Sequence, residues 1–284
     1  MKILVAGYGF VGKEVEKLFK KDFPDLYDPH FFSEHETMSP MANGGWKYIE
    51  PPKKKYDFCF VCVSTPSKES GECDISAIED VIANIEANVF VIRSTVAPGT
   101  TDYLEDKFSL VTAEGSTQKL KNIVMQPEYV ASSSPYPAPL ADMRKRGFHV
   151  LGGRPQITKK VRKLYESIYP PTCRIMETTA KTAEIIKLLE NIAIANKVTL
   201  CQEFYEICKH FGINYDEIKE GVFGLDPRFN LWFTYVYSDK RGFTNSHCLP
   251  KDLDNMIFSC KKKGYDPKFL EAIKENNARW KNIT

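Results

Sequence analysis

Ile3-Leu4-Val5-Ala6-Gly7-Tyr8-Gly9-Phe10-Val11-Gly12 is the stretch that decides the fold. Four apolar residues read as a buried strand, three glycines follow at GxGxxG spacing, and the apolar positions over 11–19 read as a helix. In a strand–turn–helix setting each glycine has a task. Gly7 makes the tight turn, Gly9 lets the backbone approach a pyrophosphate, and Gly12 lets the helix pack close to the strand. A phosphate would then sit at the helix N-terminus, where unpaired N–H groups and the positive dipole end favour anions. Gly7, Gly9, Phe10, Val11 and Gly12 are therefore candidate cofactor-binding residues.

Working outward, Asp28 closes a short second strand at 26–27, about 20 residues beyond the first glycine. A carboxylate there binds the ribose 2′-hydroxyl of NAD and repels the extra phosphate of NADP. A plain turn residue before Pro29 is the alternative. Further strands are expected at 58–63, 89–93, 122–124 and 150–151, with helices at 75–87, 100–108 and 156–169; residues 33–55 read mostly as loop. Alternation of this kind builds an α/β, doubly wound parallel sheet of Rossmann type with helices on both faces. Ligands bind beyond the carboxyl ends of such strands, so Ser64-Thr65-Pro66 and Ser94-Thr95 are expected to line the cofactor crevice. From 183 to 211 the pattern is helical, without Pro or Gly, up to Gly212. The expected organisation is an NAD-binding Rossmann-like domain over 1–178 and an all-helical domain over 179–284 built on one long helix.

Composition narrows the function classes. A hydrophobic content of 43% and a charged content of 27% suit a soluble globular chain, and a formal net charge of +2 gives no electrostatic case for nucleic acid. No apolar run of about 18 residues exists, so no membrane span is expected. The opening apolar residues are too few for a signal sequence. Eight cysteines without a paired-spacing framework fit reduced thiols and a cytoplasmic location. Cys59 and Cys62 form a CxxC inside an apolar strand, where their side chains point to opposite faces, so no metal site is expected.

The second half is dominated by Asn245-Ser246-His247-Cys248-Leu249-Pro250-Lys251-Asp252. Pro250 suits the first position of a helix, Asp252 and Asp254 favour its positive end, and Leu253, Met256 and Ile257 continue it. Cys248 is thus expected just off a helix N-terminus, where the dipole favours the nucleophilic thiolate. By itself it reads as a half-buried cysteine before an ordinary helix. Lys187 and Asn191, four apart, share a face of the long helix; in isolation the lysine reads as a solvated side chain.

Taken together the motifs are more specific. The GxGxxG, Ser64-Thr65-Pro66 with Gly71 and Asp74, and Ser94-Thr95-Val96 with Pro98-Gly99-Thr100 come first. Pro127-Glu128-Tyr129, Ala183-Glu184-Ile185-Ile186-Lys187 with Asn191, Asp226-Pro227-Arg228 and Cys248-Leu249-Pro250-Lys251-Asp252 follow. In these motifs and their order the chain resembles the UDP-glucose/GDP-mannose dehydrogenase family. The resemblance implies an enzyme that oxidises the C6 alcohol of a nucleotide sugar twice, using two NAD+ and one water, to a uronic acid. It assigns Cys248 as the nucleophile that traps the aldehyde as a thiohemiacetal and carries the thioester. It gives Lys187 the developing oxyanion, Asn191 a supporting hydrogen bond, Thr95 and Asp252 a water near the reacting carbon, and Glu128 a part in thioester hydrolysis. Lys251 is implied in cofactor contact, and Glu128, Tyr129, Ser132, Lys187, Asn191, Arg228 and Tyr237 in substrate contact. It also implies a homodimer paired through the long helix, where Phe204 and Ile207 exceed what one small domain buries. The implied partner is a small-molecule nucleotide sugar, with neither nucleic acid nor membrane.

Three departures qualify the resemblance. Family members continue into a second Rossmann-like domain that grips the nucleotide, whereas this sequence stops at Thr284. A fragment is expected, or a short protein that binds substrate differently. The glycine-rich stretch before the cysteine is here Gly242-Phe243-Thr244-Asn245-Ser246-His247, with one glycine. Ser132 stands where a second charged residue is usual. Two other readings stay open. One is a single-hydride 3-hydroxyacid dehydrogenase, which shares the Rossmann domain and the lysine–asparagine pair but needs no cysteine. The other is an NAD-binding scaffold or regulator without turnover.

Overall fold

Alternation along the strands produces two buried faces. In β1 (Ile3–Ala6), Ile3 and Val5 join one apolar cluster while Leu4 and Ala6 join the other. The computed structural model describes residues 1–29, 38–41, 44–111, 118–119, 121–129, 143–237 and 241–280. Within these the remaining strands are β2 (Asp25–Tyr27), β3 (Met38–Pro40), β4 (Trp46–Tyr48), β5 (Lys55–Val61), β6 (Glu86–Ile92), β7 (Leu110–Val111), β8 (Gln118–Lys119), β9 (Ile123–Met125), β10 (Phe148–Gly152) and β11 (Arg174–Thr178). The α-helices are α1 (Phe10–Leu18), α2 (Ser76–Asn84), α3 (Thr100–Lys107), α4 (Pro155–Glu166), α5 (Ala180–Phe211), α6 (Tyr215–Lys219), α7 (Leu249–Lys262) and α8 (Lys268–Ala278).

Packing divides the chain into two units, Met1–Pro66 with Cys73–Lys187, and Ser67–Glu72 with Leu188–Thr284. In the first, nine strands run in the order β11-β10-β9-β6-β5-β1-β2-β4-β3, parallel except at β9–β10 and β3–β4. From β1 the chain goes to β2 on one side and later to β5 on the other, so the topological switch point lies between β1 and β5. Helices α1 and α4 cover one face through Val15, Phe19, Ile157, Val161 and Leu164. Helices α2 and α3 and the first turns of α5 cover the other through Ile78, Val81, Ile82, Leu104 and Ala183. Cys59 lies in the second of these clusters and Cys62 packs on the first, on opposite faces as strand alternation requires. Burial pushes the Cys62 thiol up to about 12.

Three features add to the expectations. Two short strands, β3 and β4, interrupt the loop expected over 33–55 and extend the sheet beyond β2. Strand β11 pairs parallel with β10 where no strand was expected. Both places are sheet edges, where the strands are three to five residues long, and β4 and β11, with partly or fully exposed side chains, carry no apolar run. Finally, packing parts the units between Lys187 and Leu188, inside the long helix, rather than at 178. Ala183 and Ile186 lie in the sheet's core, which keeps the first two turns of α5 with the first unit.

The second unit holds the rest of α5 with α6, α7 and α8. Ile192 and Ala195 pack with Phe243, Leu253, Ile257 and Ile273. A smaller cluster joins Cys201, Cys208, Tyr215 and Phe223, with Phe204 packed against it. Phe204 is therefore partly buried within its own unit, while Ile207 is exposed. The loop 67–72 packs on α7: the Ser67 hydroxyl donates to the Lys251 carbonyl (3.5 Å). Gly71, at φ +86°, leaves only 3.2 Å between the Asp254 carbonyl and the place a Cβ would take.

Candidate active site

The glycine turn has the geometry its spacing demands. Gly7 sits at φ +89°, and a Cβ there would stand 2.7 Å from the Cys62 backbone, across the switch point. A Cβ on Gly12 would collide with the Gly7 carbonyl, so helix α1 approaches the turn only because that atom is missing. At Gly9, the N-cap of α1, nothing lies within 4 Å of the same position, which leaves the backbone open to a ligand. The Asp28 carboxylate accepts from the Tyr8 amide (2.7 Å), which fixes it beside the turn at the end of β2. An open glycine amide at a helix N-terminus with a carboxylate beyond the next strand fits a dinucleotide's pyrophosphate and ribose.

The loops after β5 and β6 are stitched to each other. Thr65 donates to the Thr95 carbonyl (2.7 Å) and Ser94 to the Val63 carbonyl (2.6 Å). Thr65 is buried, Thr95 is half-buried, and Ser64 and Pro66 are exposed at the strand end. Glu184, quoted above only as part of a motif, proves to cap α3. Its carboxylate accepts from the amides of Gly99 (2.5 Å) and Thr101 (2.7 Å) and from the Thr101 hydroxyl (2.7 Å). Burial pushes its carboxyl above the usual range while those donors pull the other way.

Beyond β6 and β9 lies a buried polar network that sequence reasoning missed. Glu128 accepts from Arg93, from Arg146 (2.8 Å) and from the Tyr129 amide (2.6 Å). Arg93 also donates to the Tyr165 hydroxyl (3.3 Å), which in turn donates to Gln126. The Gln126 amide meets His149 Nδ1 at 3.2 Å. An amide donor there makes Nδ1 the acceptor and the imidazole neutral. Burial first, then the Arg93 and Arg146 charges, lower His149 from 6.5 to about 3. A depressed histidine stabilises the fold fully above its unfolded value and loses that contribution as pH falls from about 6.5 towards 3, at about 1.4 kcal/mol per pH unit. His149→Phe is therefore expected to flatten the fall in denaturation midpoint over that window relative to wild type. Parallel curves for the two proteins would disprove the assignment.

Lys187 is buried on α5 with its ammonium 4.9 Å from the centroid of the Tyr129 ring, and the Arg146 guanidinium lies 5.4 Å from the same ring. Tyr129 thus forms an aromatic platform for cations, fixed through its own amide by Glu128.

In the second unit Asp252 is fully buried. It accepts from Asn191 Nδ2 (2.5 Å) through one oxygen and from Lys251 Nζ (2.6 Å) through the other. Cys248 is the N-cap residue of α7 and is exposed, and its carbonyl accepts from the Asp252 amide (2.9 Å). The expected helix is present, with Leu249 rather than Pro250 as its first residue. Arg228 is exposed, and its guanidinium forks onto Asp226. Tyr237 is also exposed, and Ser132 lies outside the described residues. The expected site residues thus form three clusters in the first unit, Gly7–Gly12 with Asp28, Ser64–Thr65 with Thr95, and Glu128–Tyr129 with Lys187. Asn191, Lys251, Asp252 and Cys248 make a fourth in the second unit.

Comparison with known proteins adds to this geometry. Residues 47–171 match the NAD binding domain of the UDP-glucose/GDP-mannose dehydrogenase family, and residues 181–279 match that family's central domain. A UDP-glucose 6-dehydrogenase of Pseudomonas aeruginosa is 27% identical over 79% of this chain, which spans 49% of that relative's length. Among solved structures, a UDP-glucose dehydrogenase of the archaeon Pyrobaculum islandicum superposes with a TM-score of 0.76 at 20% identity, over 98% of this chain and 68% of that one. The 3-hydroxyisobutyrate dehydrogenase of Mycobacterium tuberculosis gives a TM-score of 0.66 at 13% identity, over 99% of this chain and 94% of that one. Likeness at these identities shows the fold alone.

Proposed function

The chain belongs to the UDP-glucose/GDP-mannose dehydrogenase family, and on that premise we propose that it oxidises the C6 alcohol of a UDP-glucose-like nucleotide sugar to the uronic acid. NAD+, when bound, would supply the hydride acceptor, one NAD+ being consumed in each of the two oxidations. The glycine turn and Asp28 would hold its pyrophosphate and ribose, with the loops at Ser64–Pro66 and Thr95 beside them; Lys251 is assigned to cofactor contact from the family resemblance alone. Lys187 stabilises the alkoxide and later the tetrahedral oxyanion, with Asn191 as a second donor. The Cys248 thiolate adds to the aldehyde carbon to form a C–S bond, and the carbonyl oxygen takes up a proton. After the second oxidation, water cleaves that bond, releasing the carboxylate and returning the thiol. Orientation of the water is assigned to Asp252 and, from the family resemblance, to Thr95. Glu128, enclosed by two guanidiniums, suits an anchor for Tyr129 better than a hydrolytic base. Substrate contacts are assigned to Tyr129, Ser132, Arg228 and Tyr237.

The observation that carries this reading is Asp252, one helical turn after Cys248, buried and aligning Asn191 and Lys251. The test is NAD+ reduction by the purified protein with UDP-glucose, UDP-N-acetylhexosamines and GDP-mannose. Turnover is expected with UDP-glucose. Thermal stabilisation by NAD+ without turnover on any of them would favour a cofactor-binding scaffold instead.

A homodimer paired through α5 belongs to the same proposal. Leu189, Leu200, Ile207 and Phe211 are exposed, and at 3.6 residues per turn they fall within about 40° of arc. Exposed apolar side chains that share one face of a long helix support a reading of that face as an association surface. Sedimentation is expected to give a dimer for wild type and a monomer for Ile207→Asp; a monomeric wild type would refute the pairing.

A further inference from the structure

The segment Gly242-Phe243-Thr244-Asn245-Ser246-His247 leads directly into Cys248 with a single glycine, and the structure fixes its path with side chains. Arg241 is buried, donating to Gln202 Oε1 (2.5 Å) and Glu206 Oε1 (2.9 Å) on α5. Its guanidinium carbon lies 4.6 Å from the Tyr205 ring centroid and 4.2 Å from that of Trp280. Asn277 of α8, also buried, accepts from the Phe243 amide (2.8 Å) and donates to the Thr244 hydroxyl (3.1 Å). Gly242, at φ +67°, is what admits Asn277, because a Cβ there would collide with the asparagine oxygen.

From Phe243 the bonding continues to the cysteine. The Phe243 carbonyl accepts from the Ser246 amide (3.0 Å), and the Ser246 hydroxyl accepts from the amides of Cys248 (3.4 Å) and Leu249 (3.2 Å). The start of α7, and Cys248 with it, is thus tied through Ser246 and Phe243 to Asn277.

We infer that Asn277 and Arg241 are positioning residues for Cys248, holding the approach segment by side-chain bonds. Importance of the position for chemistry rests on the reading of Cys248 as the nucleophile. The hold on Cys248 itself is testable without turnover.

The experiment alkylates the full chain with iodoacetamide at neutral pH and follows the Cys248 peptide by mass spectrometry. Amide exchange is followed over the segment 243–249. Asn277→Ala is expected to change the Cys248 alkylation rate about fivefold and to speed exchange in the segment, the effect of one lost buried hydrogen bond. Asn277→Asp, which keeps the acceptor for Phe243, should restore the rate to within about twofold of wild type. Thr244→Val removes only the second bond and should shift the rate about twofold in the same direction, which keeps the test open if Asn277→Ala fails to fold. NAD+ affinity serves as the folding control. A Cys248 rate equal to wild type in folded Asn277→Ala, or in Thr244→Val where the former does not fold, overturns the inference. Loss or retention of turnover in Cys248→Ala bears only on the nucleophile reading, so the two failures are distinguishable.

Discussion

Lys187→Ala is expected to lower kcat about 10²–10³-fold, the loss that follows removal of one preorganised oxyanion donor. Lys187 is 8% exposed and its ammonium is held above the Tyr129 ring, so it meets developing negative charge with little competition from water. NAD+ affinity should be unchanged in the variant. Lys187→Arg should fail to restore activity, because a planar guanidinium over the same ring places its donors elsewhere. Steady-state kinetics with the substrate found in the panel checks both statements. A variant with wild-type kcat would remove Lys187 from the chemistry.

Glu128→Leu is expected to destabilise the protein by about 3–5 kcal/mol, the cost of breaking a buried ion pair by removing one partner. The carboxylate is shared by Arg93 and Arg146, whose guanidiniums are wholly buried. Leucine would leave both without it in a low-dielectric interior. Urea denaturation should show a lower midpoint at unchanged slope. Glu128→Gln separates anchoring from hydrolysis. As an anchor, glutamine costs stability and weakens activity in step with the loosening of Tyr129. As a base, it would stop product release from a protein of normal stability.

Legibility in the sequence followed the range of the interactions. The glycine turn was readable because each glycine answers a steric demand within a few residues of itself. Helix α7 was readable because its proline, acidic turn and apolar spacing are all local. The polar network was not, since Arg93 finds Glu128 and Tyr165 at separations of 35 and 72 residues. At the end of an apolar strand an arginine reads simply as the strand's exit to water. Glu184 was likewise visible as a motif letter, but its caps on Gly99 and Thr101 lie 85 and 83 residues away. With one glycine left before the cysteine, close backbone approach to a phosphate was the less plausible use of the segment, and the structure uses Gly242 to admit Asn277.

Stoichiometry tests the central claim most directly: NADH formed per UDP-glucose consumed, measured to completion in wild type and in Cys248→Ala. Two NADH and one uronic acid per sugar for wild type, with no acid from the variant, is the predicted result. One NADH per sugar, unaffected by removing the thiol, would contradict covalent double oxidation and leave a single-hydride dehydrogenase on the same scaffold.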